Sequence, residues 1–170
     1  DLCSRSKLII HTQYDYLKRC GFDYQELEKH NIQVIQKTVT APGLYHMGDI
    51  YVYPAELDGL GLTIYEALSC GMPVIGTDVA PINEPINEFN GRKIKVQKVI
   101  AREDGYYWPL SLIDTDDLYN QMNYYIENYS GLKELRARIR EDAVLHWDWK
   151  KRKEQVCHVF ENAQVLHLYN

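Results

Sequence analysis

A chain of 170 residues with 45% hydrophobic and 25% charged side chains is long enough to bury a core without disulfide or metal staples, and its composition excludes disorder. Nineteen Lys and Arg against twenty-four Asp and Glu give a net charge of -5, so a polyanion meets no general attraction and nucleic acid is excluded as a natural partner. The four cysteines, Cys3, Cys20, Cys70 and Cys157, form no CxxC pair and have no histidine at ligand spacing, which excludes a zinc site and predicts free thiols in a cytoplasmic setting.

In chain order, apolar runs alternate with helical patterns, the signature of a parallel sheet covered on both faces. Strands are predicted at Lys7–Thr12, Ile32–Val39, Asp49–Tyr53, Pro73–Thr77 and Lys93–Val96. Helices are predicted at Tyr14–Lys29, at Leu62–Cys70, and at Pro81–Phe89, where Pro85 interrupts a short one. Ala101–Pro109 has no periodicity and is expected to be a loop. Three closing helices follow over about 115–167: Leu118–Tyr129 behind the N-cap sequence Asp114-Thr115-Asp116-Asp117, then Leu132–Leu145 and Trp149–Leu166. The basic run Lys150–Lys153 reads as the solvated start of the last helix, and the fourteen tyrosines read mainly as half-buried packing groups. No segment approaches the apolar length of a membrane span, and Asp1–Arg5 lacks the layout of a signal peptide.

The stretch Asp49–Glu84 carries the chemistry. A strand ends at Tyr53-Pro54, a turn with Gly59 and Gly61 follows, and an amphipathic helix starts near Leu62. Such a turn lies at the carboxyl end of a parallel strand, where the unpaired N–H groups of the next helix favour an anion such as a diphosphate. The dinucleotide fingerprint fails, because Ile64 stands where its third glycine belongs. Two acids flank the turn instead, Asp58 before it and Glu66 in the helix, and carboxylates accept hydrogen bonds from sugar hydroxyls. Taken as a lone pair, the two would read as a turn acid and a solvated helix acid. His11 reads as a satisfied polar residue at a strand end, Gly71 and Pro73 as helix stop and strand start, and Cys157-His158 as no nucleophilic pair, since neighbours on a helix point apart.

In order, Tyr53-Pro54, Asp58-Gly59-Leu60-Gly61-Leu62, Glu66-Ala67-Leu68, Gly71-Met72-Pro73-Val74-Ile75-Gly76-Thr77-Asp78 and Glu84 resemble the acid-x7-acid region of family 4 retaining glycosyltransferases with the GT-B fold. Phe89–Lys93 is similar to that family's glycine-containing hairpin, and Leu118–Trp149 to its closing helices. The resemblance implies a single Rossmann-like donor-binding domain over 1–170, the C-terminal half of a GT-B enzyme. The first βα unit, with the diphosphate-binding Arg and Lys, and the acceptor-binding N-terminal domain would lie outside this chain, and the chain alone would be inactive. Asp58 would face the donor sugar as the catalytic group, the backbone of Gly59, Leu60, Gly61 and Leu62 would hold sugar and diphosphate, Glu66 would bind the ribose, and Glu84 would cap a helix or touch the donor. The donor would be a nucleoside-diphosphate sugar and the acceptor a hydroxyl, with no metal and no cofactor, and any membrane contact would come from other parts of the protein. Asp58 stands where glutamate is usual, with Glu56 nearby as a substitute, Ala55 stands where serine is common, and Ala80-Pro81-Ile82 replaces a glycine pair. A non-catalytic binding module and a same-fold epimerase or phosphorylase are the rival readings.

Overall fold

The computed structural model describes residues 1–163. Its centre is a parallel three-stranded sheet of β3 (Tyr51–Tyr53), β4 (Val74–Thr77) and β5 (Gly91–Ile94), in that order across the sheet. The strand period of two sends Val74 to one face and its neighbour Ile75 to the other. On the first face Val74 packs with Ile64, Ala67 and Leu68 of α3 (Leu62–Ser69) and with Ile139 and Ala143 of α5 (Leu132–Trp147). On the second, Ile75 and Ile94 pack with Tyr125 of α4 (Thr115–Glu127) and with Leu132. Helices therefore cover both faces, as the apolar strand runs require.

A second parallel pair, β1 (Leu8–Thr12) and β2 (Ile32–Gln36), runs with Leu8 opposite Ile32 and is not hydrogen-bonded to the central sheet among the described residues. The single helix predicted over Tyr14–Lys29 is two short ones, α1 (Tyr16–Arg19) and α2 (Tyr24–Lys29). The break falls where Gly21 adopts a left-handed φ of 86° and Asp23 caps the second helix by accepting the N–H of Gln25 at 3.0 Å. None of residues 1–50 is buried, so the described core belongs to the later part of the chain.

The segment 81–90 forms turns rather than the short helix expected there. Pro85 has no N–H to give, and the Asn87 carboxamide oxygen accepts the N–H groups of Phe89 (2.9 Å) and Asn90 (3.1 Å), the local bonding that competes with a helix. Asn90, 3% exposed, closes the unit by donating to the Pro85 carbonyl and accepting from the Asn87 N–H, both at 2.9 Å. Asn90→Ala is expected to lower stability by about 1 to 2 kcal/mol in urea denaturation, because it strands two buried backbone groups. An unchanged midpoint would contradict that role.

The predicted loop Ala101–Pro109 is the turn of an antiparallel hairpin, β6 (Val96–Ala101) with β7 (Pro109–Ile113). A register irregularity between Val96 and Lys98 breaks the two-residue alternation that would have marked the first strand. The strand expected at Lys93–Val96 is split accordingly, its first part belonging to β5 and Val96 opening β6. Gly91, placed in a hairpin by resemblance, starts β5 opposite Val74 in a parallel pairing. The closing helices stand close to expectation, with α6 spanning Trp149–Glu161. The Asp114 carboxylate caps α4 by accepting the N–H groups of Asp116 and Asp117, both at 3.0 Å. Residues 164–166 of the predicted last helix lie outside the described residues.

Candidate functional site at the carboxyl edge of the sheet

Beyond β3 the chain turns through Pro54–Gly61 into α3, on the side of the sheet where ligands of such folds sit. Asp58 organises this turn. One of its oxygens accepts the N–H groups of Leu60 (2.8 Å) and Gly61 (2.7 Å), and the other accepts the Tyr53 hydroxyl. These donors, the Tyr53 hydroxyl first and the Gly61 N–H next, hold the Asp58 carboxyl below its ordinary value against a smaller opposing effect of burial. Gly61 has a φ of 63° and is the N-cap of α3 without a side-chain cap. Among the described residues the N–H groups of Leu62 and Thr63 find no acceptor, so two of the helix's first donors are open.

The loop is held from two further sides. The Thr77 hydroxyl at the end of β4 donates to the Ala55 carbonyl at 2.8 Å, and the Ser111 N–H of β7 donates to the Glu56 carbonyl at 2.9 Å. Both anchors are buried, Thr77 fully and Ser111 at 3% exposure.

A tyrosine ladder joins the two acids. Tyr51 stacks on Tyr53 and meets Tyr45 edge-on, each at a centroid distance of 5.8 Å. At its ends the Tyr53 hydroxyl donates to Asp58 and the Tyr45 hydroxyl donates to Glu66 Oε2 at 2.5 Å. Burial first, and then the charge of both carboxylates, push the Tyr51 hydroxyl between them up. Burial and the Asp58 bond push the Tyr53 hydroxyl up to about 12, and burial with Glu66 raises Tyr45 as well. Because the folded value lies above the ordinary 10.0, the stabilisation from Tyr53 is complete below that pH and is lost as the pH rises through about 12. Titrating tyrosinate absorbance upward should therefore show late-ionising tyrosines, one fewer in Tyr53→Phe, with those of Tyr45 and Tyr125 remaining. A parent in which every tyrosine ionises near 10.0 would contradict the ladder.

Of the residues singled out in the sequence, Asp58, Gly59, Leu60, Gly61, Leu62 and Glu66 come together here, with Leu60, Leu62 and Glu66 exposed. The amides of Leu60 and Gly61 face Asp58, which leaves Leu62 as the open donor of that group. Glu84 is exposed in the 81–86 turns and makes its charge felt at Tyr65 on α3, but it bonds to neither of the other acids among the described residues. Tyr45, Tyr51, Tyr53 and Thr63 are the site residues that sequence reasoning missed, and the Tyr-Val-Tyr alternation in β3 was the one available signal. The Thr63 Oγ1 is buried without a hydrogen bond of good geometry, although the Tyr51 hydroxyl lies close enough to feel it. His11 is satisfied by the Lys37 carbonyl at 2.8 Å, and the four cysteines are free and exposed. Among the described residues no cluster of His, Cys, Asp and Glu is arranged to hold a metal ion, and no helix is long and apolar enough to cross a membrane. A concavity of about 500 Å³ lies at the other end of β3, where Arg136 already pairs with Asp49 at 2.7 Å; the candidate site is the open edge rather than that hollow.

Comparison with known proteins bears on the family and the fold. Over 47 residues, 28% of this chain, it is 40% identical to the O-antigen chain mannosyltransferase B of Escherichia coli, an alignment spanning 12% of that protein. Over 63 residues it is 35% identical to the lipopolysaccharide core biosynthesis mannosyltransferase LpsB of Rhizobium meliloti (strain 1021), spanning 17% of that protein. Anabaena Alr3699/HepE, solved in complex with UDP, superposes with a TM-score of 0.69 at 16% identity over 95% of this chain and 43% of its own. Sucrose-phosphate synthase from Thermosynechococcus elongatus does so with a TM-score of 0.68 at 17% identity, over 94% of this chain and 40% of its own. The chain thus spans less than half the length of these structures and shares the fold of GT-B C-terminal domains. The glycosyl transferases group 1 family matches residues 20–144, most of the length, and the chain belongs to that family.

Proposed function

We propose that this chain is the donor half of a retaining, metal-independent transferase that moves a hexosyl group from a nucleoside-diphosphate sugar to a hydroxyl acceptor. The observation that carries the reading is the start of α3, where Gly61 leaves the Leu62 and Thr63 N–H groups open between the two acids. Open amides at a helix N-terminus suit a diphosphate, and Glu66, exposed one helical turn away, suits the ribose hydroxyls. Asp58 faces the sugar in this reading, and Glu84 approaches the donor from the 81–86 turns. The solved relative named in complex with UDP, and the two mannosyltransferases, support a sugar-nucleotide donor. The basic groups for the leaving diphosphate and most of the acceptor site belong to segments outside this chain.

Thermal denaturation with UDP-, GDP- and ADP-sugars tests the donor reading. A matching donor at a hundred times its Kd adds about 2.7 kcal/mol, and the sugar series identifies it. No shift with any of the three classes would overturn the reading. A second reading, a binding module without turnover, draws on Asp58, whose two oxygens are taken up by its own turn and by the Tyr53 hydroxyl of β3. It predicts donor binding with no release of nucleoside diphosphate from the full-length protein.

A further inference from the structure

The hairpin β6–β7 carries Tyr106, Tyr107 and Trp108 in succession at its turn, 76%, 74% and 54% exposed. Three large aromatic side chains thus stand exposed in succession at one turn, apolar surface of the kind that marks a binding site. The turn is well formed: the Arg102 N–H donates to the Trp108 carbonyl at 2.8 Å, and the Arg102 guanidinium pairs with Asp104 at 2.5 Å. Gly105 and Tyr107 both take left-handed φ values, 86° and 53°; for tyrosine that is an uncommon conformation.

Its position ties it to the site. The hairpin leaves the carboxyl end of β5 at Lys95, whose carbonyl accepts the Asp114 N–H at 2.8 Å, and β7 then bonds through Ser111 to Glu56 in the loop that carries Asp58. Trp108 is three residues from Ser111, about 10 Å of extended chain. The aromatic turn is therefore tethered within about 10 Å of chain from the point where β7 bonds the Asp58 loop. We infer that Tyr106, Tyr107 and Trp108 form a stacking platform for a carbohydrate acceptor, so that this chain holds part of the acceptor site.

The chemistry favours a neutral polyhydroxylated partner. Aromatic faces pack against the C–H faces of sugar rings, while tyrosine hydroxyls and the indole N–H reach the hydroxyls at the rims. Glu103 and Asp104 outnumber the single Arg102 at the turn, which disfavours an anionic lipid surface or a nucleic acid. The inference rests on the donor reading above, because an acceptor is needed only where a sugar is transferred.

The test places the full chain on an array of linear oligosaccharides of mannose, glucose, galactose, rhamnose and N-acetylglucosamine. The parent is expected to be retained by at least one series. The combined variant Tyr106→Ser, Tyr107→Ser, Trp108→Ser is expected to lose about tenfold in apparent affinity for that series, with Trp108→Ser alone as a milder variant should the triple one misfold. Thermal shifts with sugar nucleotides should be the same in parent and variants. Absence of retention by the parent, or equal retention by the folded variants, overturns the platform. Loss of the sugar-nucleotide shift in the parent would instead count against the donor reading.

Discussion

Replacing Gly71 with alanine is expected to lower stability by about 2 to 4 kcal/mol, the largest effect of any single exchange in the glycine turns. Gly71 ends α3 with a φ of 72°, donating its N–H to the Leu68 carbonyl at 2.9 Å while Met72 donates to Ala67 at 2.9 Å, the two bonds of a Schellman stop. A side chain there is strained by the backbone and also lacks room, because its Cβ would stand 2.5 Å from the Arg136 carbonyl oxygen of α5. That oxygen belongs to a helix backbone and cannot swing aside, so α3 and α5 must separate across a shared core. Gly59→Ala is the control: a Cβ at Gly59 meets nothing within 4 Å, and its stability change should stay within about 0.5 kcal/mol. Urea titration separates the cases, a lower midpoint at unchanged slope marking lost stability. Equal midpoints for the two variants would contradict the close α3–α5 approach.

Glu66→Ala should weaken nucleotide binding by about 1 to 3 kcal/mol, roughly five- to 150-fold, while leaving the fold intact. The side chain is exposed on α3, and its one partner among the described residues, the Tyr45 hydroxyl, can turn to water, so little stability depends on it. Glu66→Gln keeps an acceptor oxygen and should fall between parent and alanine. Calorimetric titration with the nucleoside diphosphate chosen by the thermal screen measures the difference directly. Unchanged affinity in Glu66→Ala, with the protein folded, would remove Glu66 from the ribose site.

The central sheet was legible because its strands are apolar on both faces: Val74 and Ile75 point opposite ways and both meet core. Helix ends were legible where a side chain or glycine sets them, as at Asp114 and Gly71, since capping is local chemistry. The hairpin was not, because its irregular register hides the strand period and its exposed residues read as loop. The turns at 81–90 were misread as helical because the pattern of Ile82 and Ile86 matches a helix, while the competing bonds of Asn87 and Asn90 depend on the folded geometry. At the site, the glycine turn and both acids could be seen in the sequence. The bond of Asp58 to its own turn, and the ladder through Tyr51, could not, since they join residues whose distances only the fold sets.

The decisive measurement is amide chemical-shift mapping of the full chain during titration with UDP and with GDP. An anion seated on the open start of α3 shifts the Leu62 and Thr63 amides most, with Gly59–Gly61 and Glu66 following and the amides lining the Asp49–Arg136 hollow unmoved. Shifts centred on that hollow, or none with either nucleotide at millimolar concentration, would contradict a donor site at the carboxyl edge.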